Sequence, residues 1–414
     1  MKLLRAGICV LLAFSVLTHG AVEEWAMAVL EIGAALLFLY WAALLVRGRQ
    51  VEIVLPAVFF PVLLFVLLSA AQLLFRSTLY FYATRVELQL AASYLLLLFL
   101  AAQAYRTLPD WRGFVWFLIS LGFLVSIFAI LQHLTFNGKL YWFREMRFGG
   151  IPFGPYVNRN HFAGLVELLI PVGMVPLVLG KVQRERLAIV VLFALLPIGA
   201  LFLSASRGGI IAFLVEMSLL ALLVILRKGS GRRALVGGSV LLLALLLVSW
   251  LGVQPTLDRF AAMKPLEASK DKRVAMAKDA WRIFLDHRLA GTGLGTLQSV
   301  FPAYDSLYDG KIVNHAHNDF AEVLAETGIL GALCCSFFLF LLFSLGFRHS
   351  WRPENGASGA LQSGAFLGCI GFLVHCTVDF NLHIPSNALL FFLLSLLATS
   401  RIYRAPSVSH TGTS

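Results

Sequence analysis

Long apolar runs separated by short polar segments recur along almost the whole chain. An α-helix needs about 20 residues to cross roughly 30 Å of hydrocarbon, and most of these runs are close to that length. The pattern therefore predicts an all-α membrane protein with about twelve transmembrane helices. The predicted spans are 4–19, 26–46, 51–70, 89–105, 114–133, 162–180, 187–203, 208–226, 234–252, 319–346, 358–377 and 386–400.

The first run admits a second interpretation. Lys2 and Arg5 precede its apolar part and small residues lie near Gly20, a pattern that is also typical of a secretory signal peptide. Residues 1–20 are therefore either a membrane span or a cleaved leader. In both cases the second span runs inward, so the remaining topology is the same.

Composition and charge agree with a membrane protein. Hydrophobic residues make up 59% of the 414 positions and charged residues 13%, and the mean hydropathy is +0.84. A water-soluble globule could not hide so much apolar surface in its core. The net charge of +11 comes largely from alternate short loops, for example at Arg47, Arg106, Arg186 and Arg348. Loops of this kind face the cytoplasm, so the charge indicates orientation and argues against nucleic-acid binding.

With that orientation, the residues capable of chemistry lie almost entirely in the outward segments. These are the stretches near 20–25, 71–88, 134–161, 204–207, 253–318 and 378–385. The longest, 253–318, is predicted to be a periplasmic loop, and its stretch Lys272–Leu285 to be a helix. Val274, Ala277, Trp281 and Phe284 recur there at three- and four-residue spacing. We expect this helix to lie on the membrane surface or to cap a cavity. No soluble domain or internal repeat is evident, so residues 1–414 read as one polytopic membrane domain.

The strongest local pattern lies where the outer loop enters the tenth span, and it reads His315-Ala-His317-Asn318-Asp319 with Glu322 three residues later. Histidine titrates near neutrality, so a neutral imidazole at this boundary could take a proton from a sugar hydroxyl. The alternative is a polar helix start, with Asn318 or Asp319 as N-cap and Glu322 in a capping-box position. Capping alone leaves both histidines unexplained.

A second pattern is the turn Ser204-Ala-Ser206-Arg207-Gly208-Gly209 between two apolar spans. It could be only a hairpin cap, in which Ser206 bonds a free helix end. However, an arginine at the lip of the bilayer requires an anion or water as partner. The guanidinium of Arg207 suits the oxygens of a diphosphate, and the helix that starts at Gly208 directs free N–H groups to the same place.

Three further segments place polar residues at the outer boundary. Arg273 lies before the turn Gly291-Thr-Gly293-Leu-Gly295, whose glycines permit tight packing against a helix. No strand is predicted before this glycine run, so it is not a dinucleotide-binding motif. Arg273 alone could equally be a solvated charge. The other two are the stretches around Asn158, Asn160 and His161 and around Asp379, Asn381 and His383, which read either as substrate-positioning loops or as capped helix ends.

Metal binding has little support in the sequence. The five cysteines lie inside apolar spans without a CxxC spacing and read as small core residues. A zinc site of His161, His315, His317 and His383 is conceivable, but only the His-x-His pair has suggestive spacing. No Asp-x-Asp pair occurs in the outer loops to hold a divalent ion. The sequence therefore predicts neither a metal nor another cofactor.

The pattern His317-Asn318, nine further residues, then Gly328-x-x-Gly331 resembles the signature of the O-antigen ligase superfamily, which includes O-antigen polymerases and protein O-oligosaccharyltransferases. Ser204-x-Ser206-Arg207-Gly208, the arginine-bearing outer loop and the number of spans agree with it. The resemblance covers roughly residues 158–385. It implies a C-type glycosyltransferase fold and a metal-independent, inverting transfer of a glycan from undecaprenyl diphosphate to an acceptor hydroxyl.

Carried over to this sequence, the resemblance makes His317 the general base, Arg207 a diphosphate ligand and Arg273 a second one. His315 would orient His317 or cap the helix, and Asn318 belongs to the same motif. The implied partners are a lipid-linked glycan donor and either a lipid A-core glycolipid or a growing polysaccharide as acceptor. The implied location is the bacterial inner membrane, with the site facing the periplasm.

The sequence leaves the exact reaction open. Ligase and polymerase need the same diphosphate site and base and differ only in the acceptor. A protein acceptor is less favoured, because the outer loop carries no soluble domain. A transporter or flippase should show internal repeats and broken helices near mid-membrane, whereas here the polar clusters lie at one boundary.

Overall fold

The chain is described by a computed structural model that covers residues 1–48, 52–145, 151–226, 263–351 and 356–403, together with Ser239, Leu242 and Leu246. For residues 263–271 it describes the backbone alone. Within these residues the regular structure is helical, and β structure is limited to isolated bridges. The helices are α1 Lys2–Leu17, α2 Glu24–Val46, α3 Phe59–Leu74, α4 Phe81–Ala104, α5 Leu108–Leu134, α6 Arg159–Val178, α7 Leu187–Ser204, α8 Arg207–Leu226, α9 Met263–Asp286, α10 Asp319–Trp351, α11 Gly356–His375 and α12 Pro385–Thr399.

The predicted spans coincide with helices wherever the structure describes them. Among the described residues, eight helices are long and apolar enough to cross a membrane, and α3 and α12 are shorter apolar helices. Of the predicted span 234–252, the structure describes only Ser239, Leu242 and Leu246, which are helical, and the rest lies outside the described residues. The all-helical, multi-pass membrane class is therefore confirmed, while the count of twelve crossings stays a prediction.

Two predicted boundaries differ from the structure. The third helix begins at Phe59 rather than near residue 51, because Pro56 disfavours helical backbone at the residue before it. Val54 instead runs extended and exchanges hydrogen bonds with the Gln103 side chain. The fourth helix begins earlier than predicted, at Phe81, and includes the polar residue Glu87.

Helix α6 lies at the centre of the bundle. The most apolar stretch of α6 is 94% buried inside the protein, whereas the corresponding stretch of α2 is 17% buried and faces outward. Helix α6 packs against α5, α7, α8, α11 and α12, most extensively against α11. Its amino end therefore brings Asn160 and His161 to the place where the ends of the surrounding helices meet.

Helix α9 confirms the helix predicted over Lys272–Leu285, but the stripe that it buries is a different one. Met276, Ala280 and Ile283 face inward against Phe301 and its neighbours, while Val274 and Trp281 of the predicted stripe are exposed. Both sets recur at helical spacing, so periodicity alone did not identify the buried face. The exposed stripe is compatible with a helix on a membrane surface.

Candidate functional site

The polar motifs from separate parts of the sequence meet at one end of the bundle. The amino ends of α6, α8 and α10 and the connection between α11 and α12 contact one another there, and α9 reaches the same place through Arg273. The connecting contacts are Asn160 to Asp379, His317 to Asp379, Arg273 to Val378 and Gly208 to His375. Residues that are distant in sequence thus form one cluster, which we call the candidate site.

Asp379 contacts the ring of His317 from the buried side of the candidate site. The Asp379 side chain is fully buried, and its Oδ1 lies 3.3 Å from Nδ1 of His317. The same carboxylate accepts hydrogen bonds from Nδ2 of Asn160 at 2.5 Å and from the N–H of Phe380 at 2.9 Å. Burial opposes ionisation, but the His317 hydrogen bond and the charges of nearby histidines hold the pKa of Asp379 well below its usual range. A buried carboxylate therefore contacts one ring nitrogen of the histidine.

His317 remains reachable from outside the protein. Its side chain is 28% exposed, against 1% for Asp379. Its backbone φ is +51°, in the left-handed region that few non-glycine residues adopt. This turn immediately precedes the first turn of α10. One ring nitrogen thus faces the buried carboxylate while part of the ring stays exposed, as a general base requires.

Phe380 is the common contact of three imidazole rings. His315 stacks on its face at a centroid distance of 4.4 Å, and His161 and His317 meet it edge-on at 4.7 and 5.0 Å. The phenylalanine ring carries no polar group, so it holds the three imidazoles through aromatic packing. Phe380 therefore sets the spacing of the three histidines.

A second histidine and carboxylate cluster lies beside the first. Nδ1 of His315 is 2.8 Å from Glu322, and His383 lies between Asp319 at 2.8 Å and Glu322 at 3.3 Å. Burial opposes protonation of His383, but the charges of Glu322 and Asp319 dominate and raise its pKa well above the usual range. An imidazolium at His383 therefore bridges the two carboxylates.

This second cluster is also where a metal ion could bind among the described residues. The ligand atoms of His315, Glu322 and His383 lie within 4.8 Å of one another. The direct contacts of 2.8 and 3.3 Å to Glu322 already pair both rings with a carboxylate. The cluster contains two of the four histidines of the conceivable zinc site, while His161 and His317 contact Asp379 instead.

The helix-cap interpretation of the His-Asn motif is confirmed at Asn318, while the role of the histidines as a base stays a prediction. Asn318 caps α10, because its Oδ1 accepts the N–H of Ala321 at 3.0 Å. Glu322 accepts the N–H of Ala316 at 2.9 Å in addition to its histidine contacts. Asn318 and Glu322 thus hold the segment that carries both histidines, but Glu322 does so through Ala316 rather than through the backbone of the cap residue as a capping box would.

The glycines of the motif mark a break in α10. Gly328 has φ +61° and ψ −158°, a conformation that is essentially restricted to glycine. A Cβ at this position would lie 2.5 Å from the carbonyl oxygen of Leu289. The chain of the outer loop enters this break, where Ile329 and Leu330 donate to Arg288 and Leu289. The motif therefore fixes the outer loop to the helix that bears His317.

The predicted tight packing of the glycine-rich turn is confirmed. Glu326 of α10 accepts the N–H groups of Gly295 and Leu297, each at 2.8 Å. Gln72 of α3 adds hydrogen bonds to Ala290 and Glu326. The turn is a structural support of α10, as its glycines indicated.

The serine-arginine turn ends α7 and begins α8. Ser206 is buried, and its Oγ accepts the N–H of Gly209 at 3.3 Å, so it acts as the N-cap. Arg207 follows as the first residue of α8 and is exposed. A Cβ at Gly208 would lie 2.4 Å from the His375 ring and 3.1 Å from Val378. The glycine thus lets the start of α8, with Arg207, approach the segment that precedes Asp379.

Arg273 reaches this same segment from α9. Its Nη1 donates to the carbonyl oxygen of Val378 at 3.0 Å, one residue before Asp379. The structure therefore brings both Arg273 and the start of α8 to Val378.

The remaining predicted residues support the site from within. Asn158 caps α6 by accepting the N–H of Asn160 at 2.9 Å. His161 is buried, with Nε2 4.0 Å from Asp379. Asn381 is fully buried and accepts from Asn387 at 3.2 Å.

One buried pair was missed from the sequence. Nδ1 of His375 lies 2.9 Å from Glu167, and both side chains are at most 1% exposed. The pair joins α6 to α11 beneath the candidate site. The available signal was the presence of ionisable residues inside apolar spans, where unpaired charges are costly.

Comparison with known proteins supports the sequence resemblance. Residues 191–336 match the family model Wzy_C, described as O-antigen ligase. The match includes Arg207, Arg273, His317 and the glycines at 328 and 331, but not the stretches around Asn158 and Asp379. No match is found among curated proteins.

Proposed function

We propose that this membrane protein of the O-antigen ligase superfamily transfers a glycan from undecaprenyl diphosphate to an acceptor hydroxyl at the periplasmic face of the inner membrane. The family match supports a glycosyltransferase-like ligase or polymerase acting on lipid-linked polysaccharide. The observation that carries the finer proposal is the partly exposed His317, paired with buried Asp379 beside Arg273.

In the proposed reaction His317 is the general base. With its proton on Nδ1 directed at Asp379, the Nε2 atom is free to accept the proton of the acceptor hydroxyl. The acceptor oxygen attacks the anomeric carbon while the bond from that carbon to the diphosphate oxygen breaks. The electron pair leaves with the polyprenyl diphosphate, and Asp379 stabilises the imidazolium that forms.

Arg207 and Arg273 would bind the diphosphate of the donor. Negative charge develops on this group as the glycosidic bond breaks, and guanidinium groups placed in advance stabilise it. The N–H groups at the start of α8 act in the same direction, since the amino end of a helix attracts anions. The polyprenyl tail would remain in the surrounding lipid.

The acceptor that we propose is the lipid A-core, which makes the protein a ligase. Deletion in the native host followed by gel analysis of surface glycans tests this. A ligase deletion removes long chains from lipopolysaccharide and leaves lipid-linked polymer to accumulate. Accumulation of single repeat units would instead identify a polymerase, and unchanged glycans would refute both activities.

Complementation of that deletion tests the base. His317→Ala should fail to restore transfer while the protein still inserts in the membrane. The matched control is His133→Ala, because His133 is an exposed histidine in the last turn of α5, and its ring packs against Phe153. Normal transfer by His317→Ala would refute the assigned role.

A further inference from the structure

A basic cavity lies at the end of the bundle opposite the candidate site. Helix α6 runs 20 residues, about 30 Å, from the site to Val178, and the cavity opens beside that far end. The cavity has a volume of about 280 Å³ and lies between α5, the connection from α6 to α7, and α11. Its polar lining is formed by Arg112, Trp116, Lys181, Gln183 and Arg186.

The cations of this cavity lack acidic partners in the described part of the chain. No carboxylate lines the cavity there, and Arg112, Lys181 and Arg186 form no ion pair with a described residue. Other arginines at this end are paired, Arg5 with Asp110 and Arg106 with Glu52. The cavity thus concentrates positive charge that the described residues do not neutralise. A bound anion would neutralise it.

The geometry of the cavity suits a headgroup with acyl chains attached. The guanidinium of Arg186 lies over the Trp116 ring at 5.4 Å, which fixes one wall. The other walls are apolar and include Ile119, Val172 and Val190. Tryptophan is enriched at the level of lipid headgroups. A phosphate near the cations would therefore leave acyl carbons against the apolar walls.

We propose that this cavity binds the phosphate headgroup of an anionic phospholipid in the leaflet opposite the candidate site. Arginine binds phosphate oxygens in a bidentate manner, and basic pockets between transmembrane helices bind such headgroups. Positive charge that only sets membrane orientation requires no cavity and no stacked tryptophan. The proposal is independent of the glycan-transfer activity.

Native mass spectrometry of the purified full chain tests the proposal. Titration with phosphatidylglycerol should give a tightly bound lipid, and phosphatidylcholine should not. The variant with Arg112, Lys181 and Arg186 replaced by glutamine should bind phosphatidylglycerol about 100-fold more weakly, or roughly 3 kcal/mol, about 1 kcal/mol for each cation. The single variant Lys181→Gln, at an exposed position that should not affect folding, should bind about fivefold more weakly.

A charge-matched control distinguishes lipid binding in the cavity from general electrostatic attraction between the lipid and a basic surface. Arg47, Arg184 and Arg348 are exposed, lie at the same predicted membrane side and do not line the cavity. Replacing these three with glutamine should leave lipid affinity unchanged. Equal losses in both triple variants, or full affinity in Lys181→Gln, would overturn the proposal. Displacement of the lipid by millimolar inorganic phosphate would instead assign the cavity to a free anion.

Discussion

Replacement of Asp379 by asparagine tests how the base is controlled. The carboxylate lies 3.3 Å from Nδ1 of His317 and is fully buried. Asparagine keeps the shape of the side chain and one oxygen but removes the charge that stabilises the imidazolium. A hydrogen bond to a charged group contributes about 1.5–3 kcal/mol. Since 1.36 kcal/mol is tenfold in rate, kcat should fall roughly 10- to 150-fold.

The assay is transfer by purified protein in lipid nanodiscs, with a lipid-linked glycan as donor. We expect kcat to fall with little change in the KM for the donor, because Asp379 pairs directly with the ring of the base, His317. Asp305→Asn is the matched control. Its carboxylate accepts the backbone N–H of Leu307 at 3.0 Å and lies in the outer loop.

A double variant distinguishes positioning from a general loss of structure. If Asp379 acts through His317, His317→Ala combined with Asp379→Asn should be no slower than His317→Ala alone. Full kcat in Asp379→Asn would refute the argument. The argument would also be refuted if Asp379→Asn lowered kcat by the same factor in the His317→Ala background as in the wild type, because the two residues would then act independently.

Four further outcomes follow from the structure. Arg207→Lys should lower kcat/KM about 30-fold, or roughly 2 kcal/mol, because the point charge of lysine cannot form the bidentate contact of a guanidinium. Arg282→Lys in the outer loop is the control and should leave kcat/KM unchanged. Equal activity in both variants would contradict diphosphate binding by Arg207. Gly328→Ala should destabilise the protein by about 3 kcal/mol in thermal unfolding, because its backbone conformation and the nearby Leu289 carbonyl exclude a Cβ. Gly113→Ala, in the helical part of α5 and with open space for a Cβ, should instead stabilise the protein by up to about 1 kcal/mol. The pKa of His383 is raised in the folded protein, so its protonated ring stabilises the fold, fully so below the unfolded pKa of about 6.5. This contribution is lost as the pH rises through the raised pKa. Thermal stability should therefore decline toward alkaline pH more steeply in the wild type than in His383→Gln. Prolonged chelation should leave transfer unchanged; loss of activity that zinc restores would show that the cluster around His383 holds a metal.

The sequence predicted the helices and the position of the motifs well, because both depend on local pattern. In the part of the chain that the structure describes, eight helices of suitable length and apolarity are found where spans were predicted. The neighbouring residues narrowed the N-cap of α10 to Asn318 or Asp319, and the structure shows that it is Asn318. The start of α3 at Phe59 was also encoded locally, by Pro56, but the apolar run obscured it.

The relations within the site depend on contacts that no local pattern contains. Asp379 is 62 positions from His317, so its role as partner of the base was not evident from spacing. Phe380 is one of 34 phenylalanines and has no sequence feature that marks it as the contact of three imidazoles. The buried face of α9 was also ambiguous, because Trp281 and Ile283 both belong to apolar stripes.

The near-complete burial of α6 has a consequence for biosynthesis. Helix α6 carries Glu167, whose partner His375 lies at the end of α11, and the two residues are 208 positions apart. At a synthesis rate of 5–20 residues per second, His375 is made roughly 10 to 40 s after Glu167. During this interval the acidic helix has left the ribosome without its partner. A chain truncated before α11 should therefore be retained by the insertion machinery or degraded, even though every earlier hydrophobic segment is present.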